Sequence, residues 1–124
     1  MTSLDRPLTG PLLVFRLAEW AAQLRADDAY ARSGRAGRTL AKSGPLRVVL
    51  VALANGTVVG THRADGPMTV HVLEGGLRFR AGGEERHLTA GEVLFFGPGD
   101  AHDIRAERAS LLLLTLAEPP AEGA

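Results

Sequence analysis

The stretch GTVVGTHRADGPMTVHVLEG, residues 56–75, together with GEVLFFGPGDAH, residues 91–102, decides how this chain folds. In the first, five residues separate Gly56 from His62, Ala64 and Met68 follow, and six residues lead on to Gly75. In the second, five residues separate Gly91 from Gly97, Gly99 follows, and His102 closes the string. A chain that reverses within two or three residues needs φ values that a Cβ forbids. Gly56, Gly75, Gly91 and Gly99 therefore mark corners between short strands.

Outward from these two stretches the same punctuation continues. Short β segments are expected at 38–42, 46–54, 57–61, 68–73, 76–81, 84–88, 92–96, 102–106 and 111–117. Asn55-Gly56 reads as a two-residue hairpin turn, Gly82-Gly83 as another, and Gly75-Gly76 as a third tight corner. Many short strands divided by such turns imply an all-β barrel or sandwich. Ahead of them the period changes. Leu17, Trp20, Ala21 and Leu24 share one helical face within 17–31, and Gly34 and Gly37 end that run. Trp20 reads as a packing anchor. The basic, glycine-rich segment Arg32–Arg38 lacks the lysine and spacing of a phosphate-binding P-loop and reads as a solvated loop. The organisation expected is an N-terminal extension with a short helix (1–37), a barrel (38–118) and a flexible tail (119–124).

The two stretches resemble the paired motifs of the cupin superfamily, a Gly–His-x-His–Glu–Gly pattern and a Gly–Pro-x-Gly–His–Asn pattern. The strings at 72–75, 88–92 and 96–102 are similar to cupins as well. This resemblance implies a jelly-roll β-barrel of two antiparallel sheets whose mouth holds a metal or a small ligand. It also implies three histidines and a glutamate as metal ligands. Carried over by position, His62 and His102 are retained. Ala64 stands at the second histidine, Met68 at the glutamate, and Ala106 at the closing asparagine.

Two imidazoles with a thioether make a weak site for an ordinary divalent ion, which is normally held by three or four ligands, and losing the carboxylate removes a negative charge. A divalent metal (Zn, Fe, Mn, Ni or Cu) on His62 and His102 is therefore a tentative cofactor, and none bound tightly is the expectation. Strand alternation places Met68, Val70 and Val72 on one face and His71 on the other. The inward set expected is Val70, Val72, Leu77, Phe79, Leu88, Val93, Phe95 and Ile104. The ligand-binding pocket is accordingly His62, Ala64, Met68, Val70, Val72, Phe79, Phe95, His102 and Ile104, with Arg86 or Arg63 at its rim. His87 faces out. Glu84 and Glu85 point to opposite faces and cannot act as a paired acid and base. Asp100 reads as a turn former, and Asp103 as outward-facing.

Charge narrows the partners. The 124 residues carry 14 basic and 14 acidic side chains and no cysteine. A general nucleic-acid binder needs a basic excess, and disulfides and thiolate sites are excluded. The apolar run Leu111–Leu114 is too short to span a bilayer. The opening residues lack the basic-then-apolar order of a secretory leader, so a cytoplasmic protein without membrane or nucleic-acid partners is expected. The function expected is small-molecule binding, non-enzymatic or weakly active. Its rivals are a metal-dependent enzyme of dioxygenase or isomerase type using His62 and His102, and a structural scaffold. The resemblance further implies a homodimer paired through the outer face of one sheet and N-terminal strands.

Overall fold

Side chains alternate across each strand, and the chain uses that alternation to build two antiparallel sheets around one core. The computed structural model describes residues 12–63, 66–97 and 101–117, with backbone alone at 61–63. Helices α1 (Leu17–Ala26) and α2 (Asp28–Ser33) come first. They are followed by β1 (Arg35–Ser43), β2 (Leu46–Leu53), β3 (Val58–Arg63), β4 (Met68–Glu74), β5 (Gly76–Ala81), β6 (Glu84–Thr89), β7 (Val93–Phe96), β8 (Ala101–Ala106) and β9 (Ser110–Ala117). A five-stranded sheet has the order β1-β2-β9-β4-β7, and a four-stranded sheet the order β3-β8-β5-β6. Strands distant in sequence, β2 with β9 and β3 with β8, lie side by side because the chain passes repeatedly from one sheet to the other. This is a jelly roll, and the all-β expectation holds.

Between the sheets lie Leu53, Met68, Val70, Val72, Leu77, Phe79, Leu88, Ile104, Ala106 and Leu112, all buried. A second apolar layer forms outside the five-stranded sheet, where Ala21 and Leu24 of α1 cover Ala36, Leu40, Leu50, Ala52 and Leu111. Strands β2 and β9 are thus covered on both faces. That is why they read as near-continuous apolar runs rather than as alternating ones.

Four expectations are corrected. The helical run breaks at Asp27, whose extended backbone lets its carboxylate accept from Ala29 N–H at 2.8 Å and cap α2. The segment 32–38 is not a solvated loop throughout. Its second half begins β1, and Arg38 is only 2% exposed, its guanidinium 4.3 Å from the Trp20 ring centroid. A flat cation over an indole face can be buried in this way. Asn55-Gly56 does turn, with Gly56 at φ 83°, but β2 and β3 belong to different sheets and form no hairpin. Finally, Val93 and Phe95 do not face inward. Register places them opposite His71 and Thr69, on the outer face, where they are 58% and 70% exposed, while Leu94 and Phe96 pack against the core.

Two corners need glycine for physical reasons. Gly82 and Gly83 both have positive φ (57° and 77°) between the paired residues Ala81 and Glu84, which is the requirement of a tight hairpin. Gly75 (φ 87°) carries the chain from β4 in one sheet to β5 in the other. A Cβ there would lie 2.2 Å from the Ala109 carbonyl oxygen.

Candidate functional site

His102 lies on β8 opposite Ala81, and Ile104, two residues on, lies opposite Phe79. That register turns His102, Ile104 and Phe79 to the inner face of the four-stranded sheet. The His102 ring stacks on Phe79 with centroids 5.3 Å apart and planes at 11°. It meets Phe96 edge-on at 5.1 Å and 64°, and Phe79 and Phe96 meet edge-on at 5.4 Å. Three strands from both sheets therefore close one aromatic cluster. Such ring pairs add roughly 0.5–1.5 kcal/mol each beyond the area they bury. Met68 stands opposite Phe96 and Leu116 and is buried. Val70 and Val72 lie along the same face of β4 and are fully buried in the core.

Two openings flank the end of β5. One, of about 320 Å³, is bordered by Phe79, Leu94 and Phe96, with Glu84 and Arg86 at its rim. Phe95 also borders it, although its side chain belongs to the outer face. Arg86 occupies the inward position opposite Phe79, where the strand pattern asks for an apolar residue. It is held by Glu84 at 2.8 Å and donates to the Glu85 carbonyl at 3.0 Å. The other opening, of about 460 Å³, reaches His102, Ala81 and Ala101, with Arg80 and Asp103 on its border. His102 is 9% exposed, so it is packed yet reachable.

Of the remaining residues expected in the site, His62 pairs with His102 in strand register. Its side chain, that of Arg63, and the whole of Ala64 and Asp100 lie outside the described residues. Among the described residues no group of three or more His, Asp or Glu side chains could hold a metal ion. Glu84, the acidic residue on the inner face of β6, is bonded to Arg86. No helix among the described residues is long and apolar enough to cross a membrane.

His71 is half-buried on the outer face of its sheet, opposite Leu113 and Val93. His87 is exposed on the outer face of the other sheet. There its Nδ1 lies 3.0 Å from Glu107 and its Nε2 3.1 Å from Glu85. Both nitrogens can donate only when the ring is protonated. The hydrogen bond to Glu107, then that to Glu85, holds its pKa above the ordinary histidine value. The outward direction of His87 follows from alternation. Its clamp does not, because Glu107 is twenty residues away and is brought near by the pairing of β8 with β5. Phe96 was likewise missed, since β7 pairs in the opposite phase to the one expected.

A model of the cupin domain matches residues 49–115, just over half of the chain. No curated protein sequence matches significantly. Among solved structures, the TT1209 protein from Thermus thermophilus is similar at 30% identity and TM-score 0.63, covering 73% of this chain and 90% of that one. A protein of unknown function from Rhizobium leguminosarum has 22% identity and TM-score 0.71, covering 89% and 100%. A variant of oxalate decarboxylase from Bacillus subtilis has 20% identity and TM-score 0.65, covering 70% of this chain and 26% of the enzyme.

Proposed function

The chain belongs to the cupin family, and we propose that it is a small-molecule-binding member whose ligand enters at the aromatic mouth around His102. It holds no metal tightly, and it catalyses little or nothing. One observation carries this reading. The His102 imidazole is packed on Phe79 and Phe96, yet it lines a depression open to solvent. That depression is bordered by Arg80, Glu85 and Asp103 besides His102, and the Phe79 and Phe96 rings wall the neighbouring opening, so polar groups stand beside an apolar surface, the combination that orients a small, partly hydrophobic ligand. The Arg86–Glu84 pair at the neighbouring opening adds one donor and one acceptor.

A second reading has its own support: His62 stands directly opposite His102. On an antiparallel pair such residues share a face. In that reading both histidines hold a divalent metal, and the protein is an enzyme of dioxygenase or isomerase type.

The test is metal content of untagged protein, together with a benzoate titration followed at the His102 ring resonances. The binding reading expects metal well below one equivalent and saturable shifts that disappear in Phe79→Ala. One equivalent of metal, lost in both His62→Ala and His102→Ala, would overturn it.

The dimer is proposed through β7. Among the described strands this one ends its sheet, and Val93 and Phe95 stand exposed beside it. A two-fold axis at that edge would let β7 meet its own copy and cover the patch. Neither nucleic acid nor membrane is a proposed partner.

A further inference from the structure

The outer face of the four-stranded sheet carries an unusual row. Arg105 on β8 lies directly opposite Arg78 on β5, and Arg78 lies directly opposite His87 on β6. Like charges in such positions repel unless something compensates them. The carboxylates nearby do so only in part. Glu85 and Glu107 are bonded to the His87 ring. Glu85 lies 3.8 Å from the Arg78 Nε, too far for a hydrogen bond, and that nitrogen is buried with no acceptor among the described residues. Asp103 is taken by Arg80 at 3.4 Å. Arg105 has no carboxylate partner among the described residues. The Arg108 guanidinium lies beside Gly76, one row away, where a Cβ would come within 3.0 Å of it. Among the described residues this face thus sets four arginines against three carboxylates, a local positive excess in a chain whose 14 basic and 14 acidic side chains balance overall.

The row is also concave. Asn55, Arg78, Arg105, His87, Glu85 and Glu107 enclose a groove of about 390 Å³. We propose that this groove is a binding site for a small dianionic oxyanion, held by Arg78 and Arg105, with His87 strengthening it on protonation. The site lies on the opposite face of the sheet from His102 and does not depend on the reading of the mouth. Two guanidiniums present planar donor forks that match an oxyanion. Glu85 and Glu107 would repel the same anion. A protonated His87 neutralises part of that repulsion, and above its titration the repulsion returns. The groups facing His87 are Glu85 from its own strand, Arg78 from β5, and Arg105 and Glu107 from β8 and the residue after it. By linkage the anion must in turn stabilise the imidazolium.

Sulfate is the probe, because its charge does not change across neutral pH. Titrations at constant ionic strength are followed at the His87 ring and arginine Nε resonances, below and above the His87 titration. Wild type is expected to bind about fivefold more tightly on the acid side, and sulfate to raise the His87 pKa. Arg105→Gln should weaken binding about tenfold, with Arg78→Lys intermediate because it keeps the charge and loses the fork. His87→Gln should remove the pH dependence. Unchanged amide spectra would verify that the variants fold. An adventitious ion only, seen as equal shifts at Arg78, Arg80, Arg105 and Arg108 with no loss in Arg105→Gln, overturns the proposal. So does a pH dependence that survives in His87→Gln.

Discussion

The two outer faces of this jelly roll were put to different uses. That of the five-stranded sheet is mostly apolar and covered at one end by α1, which seals Leu40, Leu50, Ala52 and Leu111. That of the four-stranded sheet has no helix against it among the described elements and carries arginines, carboxylates and His87 in cross-strand rows. The inner faces of both sheets contribute to one core. The difference shows that the strands share a pleat and a twist, and that what lies outside decides the residues between the inward ones. Where the helix docks, the outward positions of β2 turn apolar and Arg38 of β1 is buried against Trp20; where solvent docks, the outward positions stay charged.

The sharpest way to break the comparison is to truncate under the helix. Leu50→Ala should lose about 3 kcal/mol in denaturant unfolding, because a fully buried side chain leaves a cavity between β2 and α1. A loss near zero would mean that the helix layer adds little. Arg38→Ala tests the one arginine buried on that face among the described residues. Removing its contact with Trp20 and its buried stem should cost about 2 kcal/mol, read from the same transition. Phe95→Glu, at the uncovered end, should leave stability within about 0.5 kcal/mol and convert the proposed dimer to monomer by light scattering. On the charged face, Arg80→Ala should shift unfolding by no more than about 0.5 kcal/mol, since its pair with Asp103 is half exposed.

The smallest effect is one of pH. His87 has a folded pKa raised by Glu107 and Glu85, so its stabilising clamp is complete below the unfolded value of about 6.5. The contribution fades as pH rises through the raised folded value. Melting temperature against pH should therefore fall slightly there in wild type, and the difference curve against His87→Gln should show that step. A flat difference curve would mean that the clamp exerts no force in solution.

Much of the fold was legible because strand period and glycine corners are local signals. The strands from β2 to β9 lie within a few residues of their expected bounds, and the buried positions of β4 and β5 follow from alternation anchored at Met68 and Gly76. Three things were not legible. The phase of β7 was misread, since Val93-Leu-Phe-Phe96 is apolar at every position and alternation is silent there. Arg38 was misread because a buried cation depends on an indole eighteen residues away. The Asn55-Gly56 turn was read for its local geometry, but whether the next strand pairs back or crosses to another sheet is decided by distant partners.

The sequence by itself determined the family, the jelly-roll class, the corners at Gly56, Gly75 and Gly91 (Gly99 lies outside the described residues), and the presence of one histidine in each motif. These depend on neighbours along the chain, where φ preferences and the two-residue period act directly. Only the tertiary structure decided that His102 packs against Phe79 and Phe96 rather than Phe95. It alone decided that His87 is clamped by Glu85 and Glu107, and that Arg78 and Arg105 stand side by side. Cross-strand register brings together residues far apart in sequence, and it is set by the fit of the whole core rather than by any short segment.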